Sequence, residues 1–257
     1  MIDFMITIWA IADLHLSFGT KGKEMDIFGA AWKDHAAKIA ADWDARVASD
    51  DLVLIPGDIS WAMTLEEALP DLEWLGARPG TKVIIRGNHD YWWGSISKVR
   101  AALPQSVFAI QNDSFFAHGV AIGGARLWDS PEYNFSPYIE VVERGPFQEG
   151  PKPGTITQDD KKIFERELGR LSASLQAMNK EARIKIVMTH YPPISALLDD
   201  SIVSAMLEAA HIQYVVFGHL HSLKKEMPPF GEKNGLVYAL TSCDFLGFKL
   251  LKVAEVP

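Results

Sequence analysis

Five hydrophobic stretches of this 257-residue chain each run into a polar side chain able to bind a metal. Residues 6–12 lead into Asp13-Leu14-His15, 52–57 into Asp58, 83–87 into Asn88-His89-Asp90, 184–189 into His190, and 214–218 into His219-Leu220-His221. Aspartate, asparagine and imidazole make a mixed oxygen and nitrogen donor set, suited to Mn, Fe, Zn, Ni or Co. The single cysteine, Cys243, excludes a thiolate zinc knuckle and an intramolecular disulfide, and is expected as a buried small residue beside a turn. A lone His or Asp after an apolar run is commonly a turn former. Five such clusters, spread over most of the chain, point to a catalytic centre instead.

The elements that must position these groups follow from the same runs. They are rich in Val and Ile and too short for helices, so they read as buried strands. In an open α/β sheet, ligands bind beyond the carboxyl ends of the strands, where all five clusters fall. An amphipathic helix is expected over about 26–48, where Phe28, Trp32, Ile39, Trp43 and Val47 recur at helical spacing. Others are expected over 64–76, capped by Thr64-x-x-Glu67 but interrupted by Pro70, and over about 95–103. A further helix opens at Thr157-x-x-Asp160 and turns Ile163, Phe164, Leu168, Leu171, Leu175 and Met178 inward. Two strand-like stretches, 236–242 and 245–253, close the chain. Strands alternating with helices and followed by terminal strands fit a two-sheet sandwich in one domain, 1–257. The segment 130–160, rich in Pro, Gly and charge, is expected as a flap over the site.

Asp13-x-His15, Gly57-Asp58, Gly87-Asn88-His89-Asp90, His190 and Gly218-His219-x-His221 together resemble the full signature of the calcineurin-like metallophosphoesterases, in that family's order. The resemblance implies an α/β fold, a four-layer α/β/β/α sandwich of two mixed sheets, with a two-metal site at one edge. It also implies a ligand set: Asp13, His15, Asp58 and His221 for one ion, Asp58, Asn88, His190 and His219 for the other, with Asp58 bridging. His89 would face the scissile oxygen and protonate the leaving group, a role worth roughly 10²- to 10⁴-fold in rate. Asp90, next in sequence, is a carboxylate that could hold the His89 ring in one tautomer.

A charge count independent of the family suits a phosphate ester. Two aspartates and neutral His and Asn ligands around two divalent ions leave a positive centre, which one bridging hydroxide reduces without cancelling. Two such ions can activate a shared water and clamp both oxygens of an in-line displacement. No protein nucleophile is needed.

Net charge is −8 and the sequence pI about 5.5. That balance disfavours extended tracking along nucleic acid, which draws on many Lys and Arg contacts, and favours a small phosphate ester or diester. No run reaches membrane-spanning length and no basic segment precedes the first apolar run, so a cytoplasmic enzyme is expected; oligomeric state is not encoded in any motif. Trp61, Tyr91, Trp92, Trp93 and Trp128 lie close to the motifs, either to stack on substrate or to pack the loops. Arg86 is placed either to contact phosphate or to pack. His35, His118 and His211 have no ligand neighbour and are expected in capping or surface roles.

Branches of the family narrow the choice. Purple acid phosphatases carry Tyr where this chain has Trp61. Protein Ser/Thr phosphatases resemble Gly-Asp-x-Val-Asp-Arg-Gly and Gly-Asn-His-Glu, unlike Gly57-Asp58-Ile59-Ser60-Trp61 and Asp90. Lipid-sugar pyrophosphatases resemble Gly-Asn-Arg-Asp at the position of His89. Small bacterial phosphodiesterases keep the His form. A dimetal phosphodiesterase is therefore expected; the alternatives are a phosphomonoesterase, a nuclease of the same superfamily, or a non-catalytic interaction protein like the retromer subunit of similar fold.

Overall fold

The computed structural model describes residues 5–140, 156–228 and 230–257. Its first sheet is built from β1 (Ile6–Ala10), β2 (Leu52–Ile55), β3 (Thr81–Ile84) and β4 (Val107–Ala109), all parallel, with β11 (Leu251–Val256) antiparallel beside β1. The second sheet runs β5 (Phe115–Ala117), β6 (Val120–Ala125), β7 (Ile184–Thr189), β8 (Tyr214–Phe217), β10 (Leu236–Leu240), β9 (Glu232–Lys233). Its inner four strands are parallel and its two edge strands antiparallel.

Side-chain alternation explains how, among the described residues, two sheets and five helices share three cores. Successive residues of a strand point to opposite faces. Ile8, Ala10, Leu52, Leu54 and Val83 meet Val120, Ile122, Ile186, Met188 and Val216 in a core between the sheets. Their neighbours Trp9, Ile11, Val53, Ile55 and Ile84 turn outward against α1 (His35–Arg46), α2 (Leu65–Gly76) and α3 (Ile96–Ala102). On the opposite side Ala121, Val187, Val215 and Phe217 pack against α4 (Gln158–Ala177) and α5 (Ile202–Ala209). The result is the expected four-layer α/β/β/α sandwich.

Both capping boxes form. Thr64 accepts from the Glu67 backbone and Thr157 from that of Asp160, and each acidic side chain returns a bond to the cap. Pro70 stands inside α2, in its second turn, without ending the helix. Phe164 and Leu171 are buried on α4 and Leu168 and Leu175 pack against the same core, while Met178 is the C-cap rather than a helical residue.

Two expectations about elements need correction. The helix expected over 26–48 begins only at His35: Gly29, at φ 119°, and Asp34, at φ 55°, break the preceding chain into two short 3-10 turns. Helical spacing of apolar residues survives such a break because both halves pack on one sheet. The strand expected over 245–253 is displaced to Leu251–Val256, since residues 244–248 form a turn held by Leu246 N to Ser242 O and Phe248 N to Cys243 O bonds. Residues 141–155 of the expected flap lie outside the described residues; of its remainder, Ser136–Tyr138 is a 3-10 turn and Ile139 bridges to Leu223. Among the described residues no helix is long and apolar enough to cross a membrane.

The inter-sheet core sets how closely the two sheets approach. Leu54 is fully buried in it. Leu54→Ala should lower unfolding free energy by about 2 to 5 kcal/mol, the usual cost of a large-to-small change in a packed core, measured by urea denaturation.

Candidate metal centre

The five motif loops leave their strands at one end of the sandwich and continue strand-like pairing past it. Asp13 N bonds Gly57 O (3.1 Å), His15 N bonds Asp58 O (3.0 Å), and Leu16 N bonds Ile59 O (2.9 Å). From the second sheet, Gly218 N bonds His190 O (3.1 Å), and the two sheets are tied together by Ala12 N to Thr241 O (2.7 Å) and Cys243 N to Ala12 O (3.0 Å). His219 N completes the junction, donating to Asp13 Oδ2 at 2.9 Å.

The backbone at these loops is sharply turned. Asp13 (φ 60°), His15 (φ 45°), Asp58 (φ 51°) and His219 (φ 72°) all occupy the left-handed region. Asp, Asn and His tolerate it better than bulkier or β-branched residues, and such strain gathers at functional sites. Gly57 has φ 91°, and a Cβ there would stand 2.8 Å from His190 Nδ1; a Cβ on Gly87 would overlap Asp58 Oδ1. Both positions need glycine so that the two carboxyl-end loops can touch.

The nine residues singled out by sequence all reach this edge. His15 Nε2 faces His221 Nε2 at 3.3 Å and lies 3.8 Å from Asp58 Oδ2; His221 Nε2 is 4.0 Å from Asp13 Oδ2. Beside them, His190 Nε2 meets Asn88 Oδ1 at 2.5 Å and Asp58 Oδ2 at 3.5 Å, while His219 Nδ1 is 3.1 Å from the same Asn88 oxygen. Asp58 Oδ2 thus stands between the two groups. Donor atoms of Asp13, His15 and His221 fall within 4.8 Å of one another, and so do those of Asp13, Asp58 and His190. Asp13 reaches His190 only on the Nδ1 side, which is already spent on Pro56 O at 2.9 Å. Asp58 is therefore the better-placed shared carboxylate.

Protons on the outer nitrogens decide what the inner ones can do. His190 donates from Nδ1 to Pro56, and His221 from Nδ1 to Asp244 Oδ1 at 2.9 Å, so each turns Nε2 inward; a second partner of this kind commonly orients a metal-binding imidazole. The His190 and His219 ring nitrogens, the Asn88 amide oxygen and the buried carboxylates gathered this closely form the mixed nitrogen and oxygen donor set that divalent first-row ions take. The residues present therefore fit two divalent ions.

Electrostatics agree. Burial, reinforced by the neighbouring charges of Asp90 and Asp13, pushes the Asp58 carboxyl well above its ordinary range. Burial also raises Asp13 to about 6, against the pull of His221. Burial and then the other imidazoles hold His15 and His190 well below the usual histidine value and His219 at about 3. His221 runs the other way: burial disfavours its charge, but Asp244 and Asp13 more than offset this and lift it to about 9. Crowded carboxylates and mostly neutral imidazoles are a donor set suited to cations.

Asp90 does not hold the His89 ring. Its buried carboxylate accepts from Gly87 N (2.7 Å), Asp58 N (2.9 Å), Ile59 N (2.9 Å), Ser60 N (3.1 Å) and Trp92 Nε1 (2.9 Å), stapling the loop after β2 to the loop after β3. Five donors leave no lone pair for the imidazole, whose Nδ1 is enclosed without a partner among the described residues. His89 is instead linked to the site by its backbone, N to Asp58 Oδ1 at 2.8 Å, and by its ring, centred 4.4 Å from Trp61. Burial, then His221 and Lys23, bring it down to about 4.

Other side chains were not legible from motifs. Asp244 lies 23 residues beyond His221 in sequence and only the turn before β11 brings it back. Tyr191, which follows His190, is buried with its ring 4.0 Å from that of His219. His35 is neither a cap nor a surface residue: it is buried and donates from Nε2 to the Leu14 carbonyl at 3.0 Å, behind His15. His118 and His211 are exposed in turns, at φ 52° and 54°. Of the aromatic residues, Trp92 and Trp93 are core, while Trp61 is partly exposed and Tyr91 exposed at the mouth. Trp128 packs on Tyr191 and donates to Asp160. Arg86 is half-buried under the charges of Arg126, Asp90, Arg170 and Glu167. Cys243 is buried and donates to Asp13 O at 3.0 Å.

Two measurements check this geometry. Asp90→Ala should cost roughly 3 kcal/mol or more in unfolding free energy, because several buried N–H groups lose a charged acceptor at about 1 to 3 kcal/mol each; unchanged stability with lost turnover would restore the tautomer role. His221, protonated at neutral pH in the metal-free protein, must give up that proton to an incoming cation. Mn²⁺ affinity should therefore rise with pH up to about 9 and release protons, seen by calorimetry in buffers of different ionisation enthalpy.

Comparison with known proteins bears on the whole chain. It matches the family described as calcineurin-like phosphoesterase over residues 6–223. It is 40% identical over 86 residues to the Gene 66 protein of Mycobacterium phage D29, covering 34% of this chain and 41% of that protein. The Gene 66 protein of Mycobacterium phage L5 is 41% identical over 88 residues, again 34% of this chain and 41% of the relative. The chain thus spans about two fifths of the length of these relatives. Among solved structures, phosphopantetheinyl hydrolase (PptH) from Mycobacterium tuberculosis is similar in fold, with TM-score 0.53 and 16% identity over 96% of this chain and 95% of that one. With more than four fifths of its length and all five motif loops inside the matched span, the chain belongs to the calcineurin-like phosphoesterase family.

Proposed function

We propose that this protein is a dimetal phosphohydrolase of small phosphate esters, with phosphodiesters the preferred class. The observation that carries this reading is the convergence, at one sandwich edge, of Asp13, His15, Asp58 and His221 on one side and Asp58, Asn88, His190 and His219 on the other. When bound, the two ions would supply Lewis acidity and an activated water to an in-line displacement at phosphorus.

The chain's own residues divide the remaining work. Asp58 sits between the two ligand groups and is oriented by the His89 backbone N–H. Asp244 and the Pro56 carbonyl fix the tautomers of His221 and His190. His89 has an enclosed Nδ1, which leaves Nε2 as the nitrogen directed at the leaving oxygen and the source of its proton. Its low basicity is set first by burial and then by the charges of His221 and Lys23, and an arriving phosphoryl anion offsets the second of these. Trp61 covers the face of His15 at 4.9 Å and Tyr191 that of His219, which keeps bulk water from the imidazoles.

Two arms test the reading. After reconstitution with Mn²⁺, the protein should cleave bis-p-nitrophenyl phosphate faster than p-nitrophenyl phosphate. Activity on the monoester alone would reassign it as a phosphatase, and no turnover with Mn, Fe, Zn, Ni or Co would leave a non-catalytic role. His89→Ala should lower kcat by about 10²- to 10⁴-fold with both ions still bound by elemental analysis.

A further inference from the structure

The mouth of the site carries one feature that phosphoryl chemistry does not use. Trp61 lies across His15, ring centroids 4.9 Å apart and 21° from parallel, and across His89 at 4.4 Å. Its place is held from three directions: its backbone N–H bonds Leu16 O at 2.9 Å, its Nε1 meets Met25 Sδ at 3.0 Å, and its carbonyl accepts Lys23 Nζ at 2.9 Å. Lys23 is half-buried, and among the described residues no carboxylate lies within ion-pair distance of its ammonium. In a chain of net charge −8, an ammonium without an ion-pair partner, pinned to the carbonyl of the residue whose ring packs on His89, calls for an anion from outside.

Resting on the reading of His89 as the group facing the leaving oxygen, we propose that Trp61 and Lys23 form the leaving-group subsite, built for an alcohol that joins a flat ring or apolar face to an anionic substituent. The indole face supplies the apolar contact and the ammonium a charge-assisted hydrogen bond to carboxylate or phosphate. One ammonium hydrogen remains committed to the Trp61 carbonyl, and two more are available for the substrate. The cation reaches this side of the site from the loop after β1 rather than from the loop that carries Asp58.

A matched pair of chromogenic diesters tests the subsite: methyl 4-nitrophenyl phosphate and methyl 3-carboxy-4-nitrophenyl phosphate, with Mn²⁺-loaded protein. The ratio of their kcat/KM values, carboxylated over plain, should fall about tenfold in Lys23→Met relative to the parent, the loss expected for one hydrogen bond between charged groups, and Lys23→Arg should restore most of it. Calorimetric binding of 3-carboxy-4-nitrophenol should weaken by a similar factor in Lys23→Met while that of 4-nitrophenol changes less. Equal ratios and equal affinities in parent and Lys23→Met overturn the proposal. If neither diester is cleaved by the parent protein, the phosphodiesterase reading fails, and the binding arm still decides whether Lys23 recognises the anionic ring. Metal content and thermal unfolding, measured alongside, separate a local effect from a misfolded variant.

Discussion

The buried carboxylate of Asp90 holds together the two loops on which the site depends. A charge that deep is tolerated only when hydrogen bonds replace its lost water, and five N–H donors do so here. Four of them are backbone amides, contributed by residues 58–60 and 87, so satisfying one side chain sets the path of both loops. That path puts Gly87 against Asp58 and lets the His89 N–H reach the Asp58 carboxylate. It also brings a second negative charge close to Asp58, which is part of why that carboxyl is so reluctant to ionise without a cation nearby.

The second constraint is the junction between sheets. Asp13, His15, Asp58 and Asn88 follow strands of the first sheet and His190, His219 and His221 strands of the second, so neither candidate ligand group is complete within one sheet. Interior packing behaves as a near-incompressible spacer, and the core of Ile8, Leu54, Val83, Ile122, Ile186 and Val216 sets the sheet separation. The Ala12, Thr241 and Cys243 bonds and the His219 to Asp13 bond then fix the offset at the functional edge. Rings around the imidazoles finish the enclosure: Trp32 packs on His15 and His221, Trp61 on His15 and His89, Tyr191 on His190 and His219. A low-dielectric wall strengthens each charge interaction inside it.

Legibility in sequence followed the range of the interaction. The positions of the five motif strands, both capping boxes and the residues that gather at the edge were readable, because strand alternation and strand-end motifs are local and each cluster abuts its own strand. The helix over 26–48 was misread because apolar spacing does not register Gly29 and Asp34, whose left-handed or open backbone angles break it. Asp90 was misread for a related reason: adjacency to His89 suggested a side-chain bond, whereas the carboxylate turns away to the amides of a loop more than 25 residues earlier.

What sequence alone determined is the set of chemical groups and the strands that end in them, since burial pattern and motif order are written along the chain. Tertiary structure decided the partners: Asp244 behind His221, Pro56 behind His190, Asp90 under Asp58, and Trp61, with Lys23 on its carbonyl, against His89. Each of these contacts joins loops from different strands, and their meeting depends on twist, sheet separation and backbone turns that no local spacing encodes.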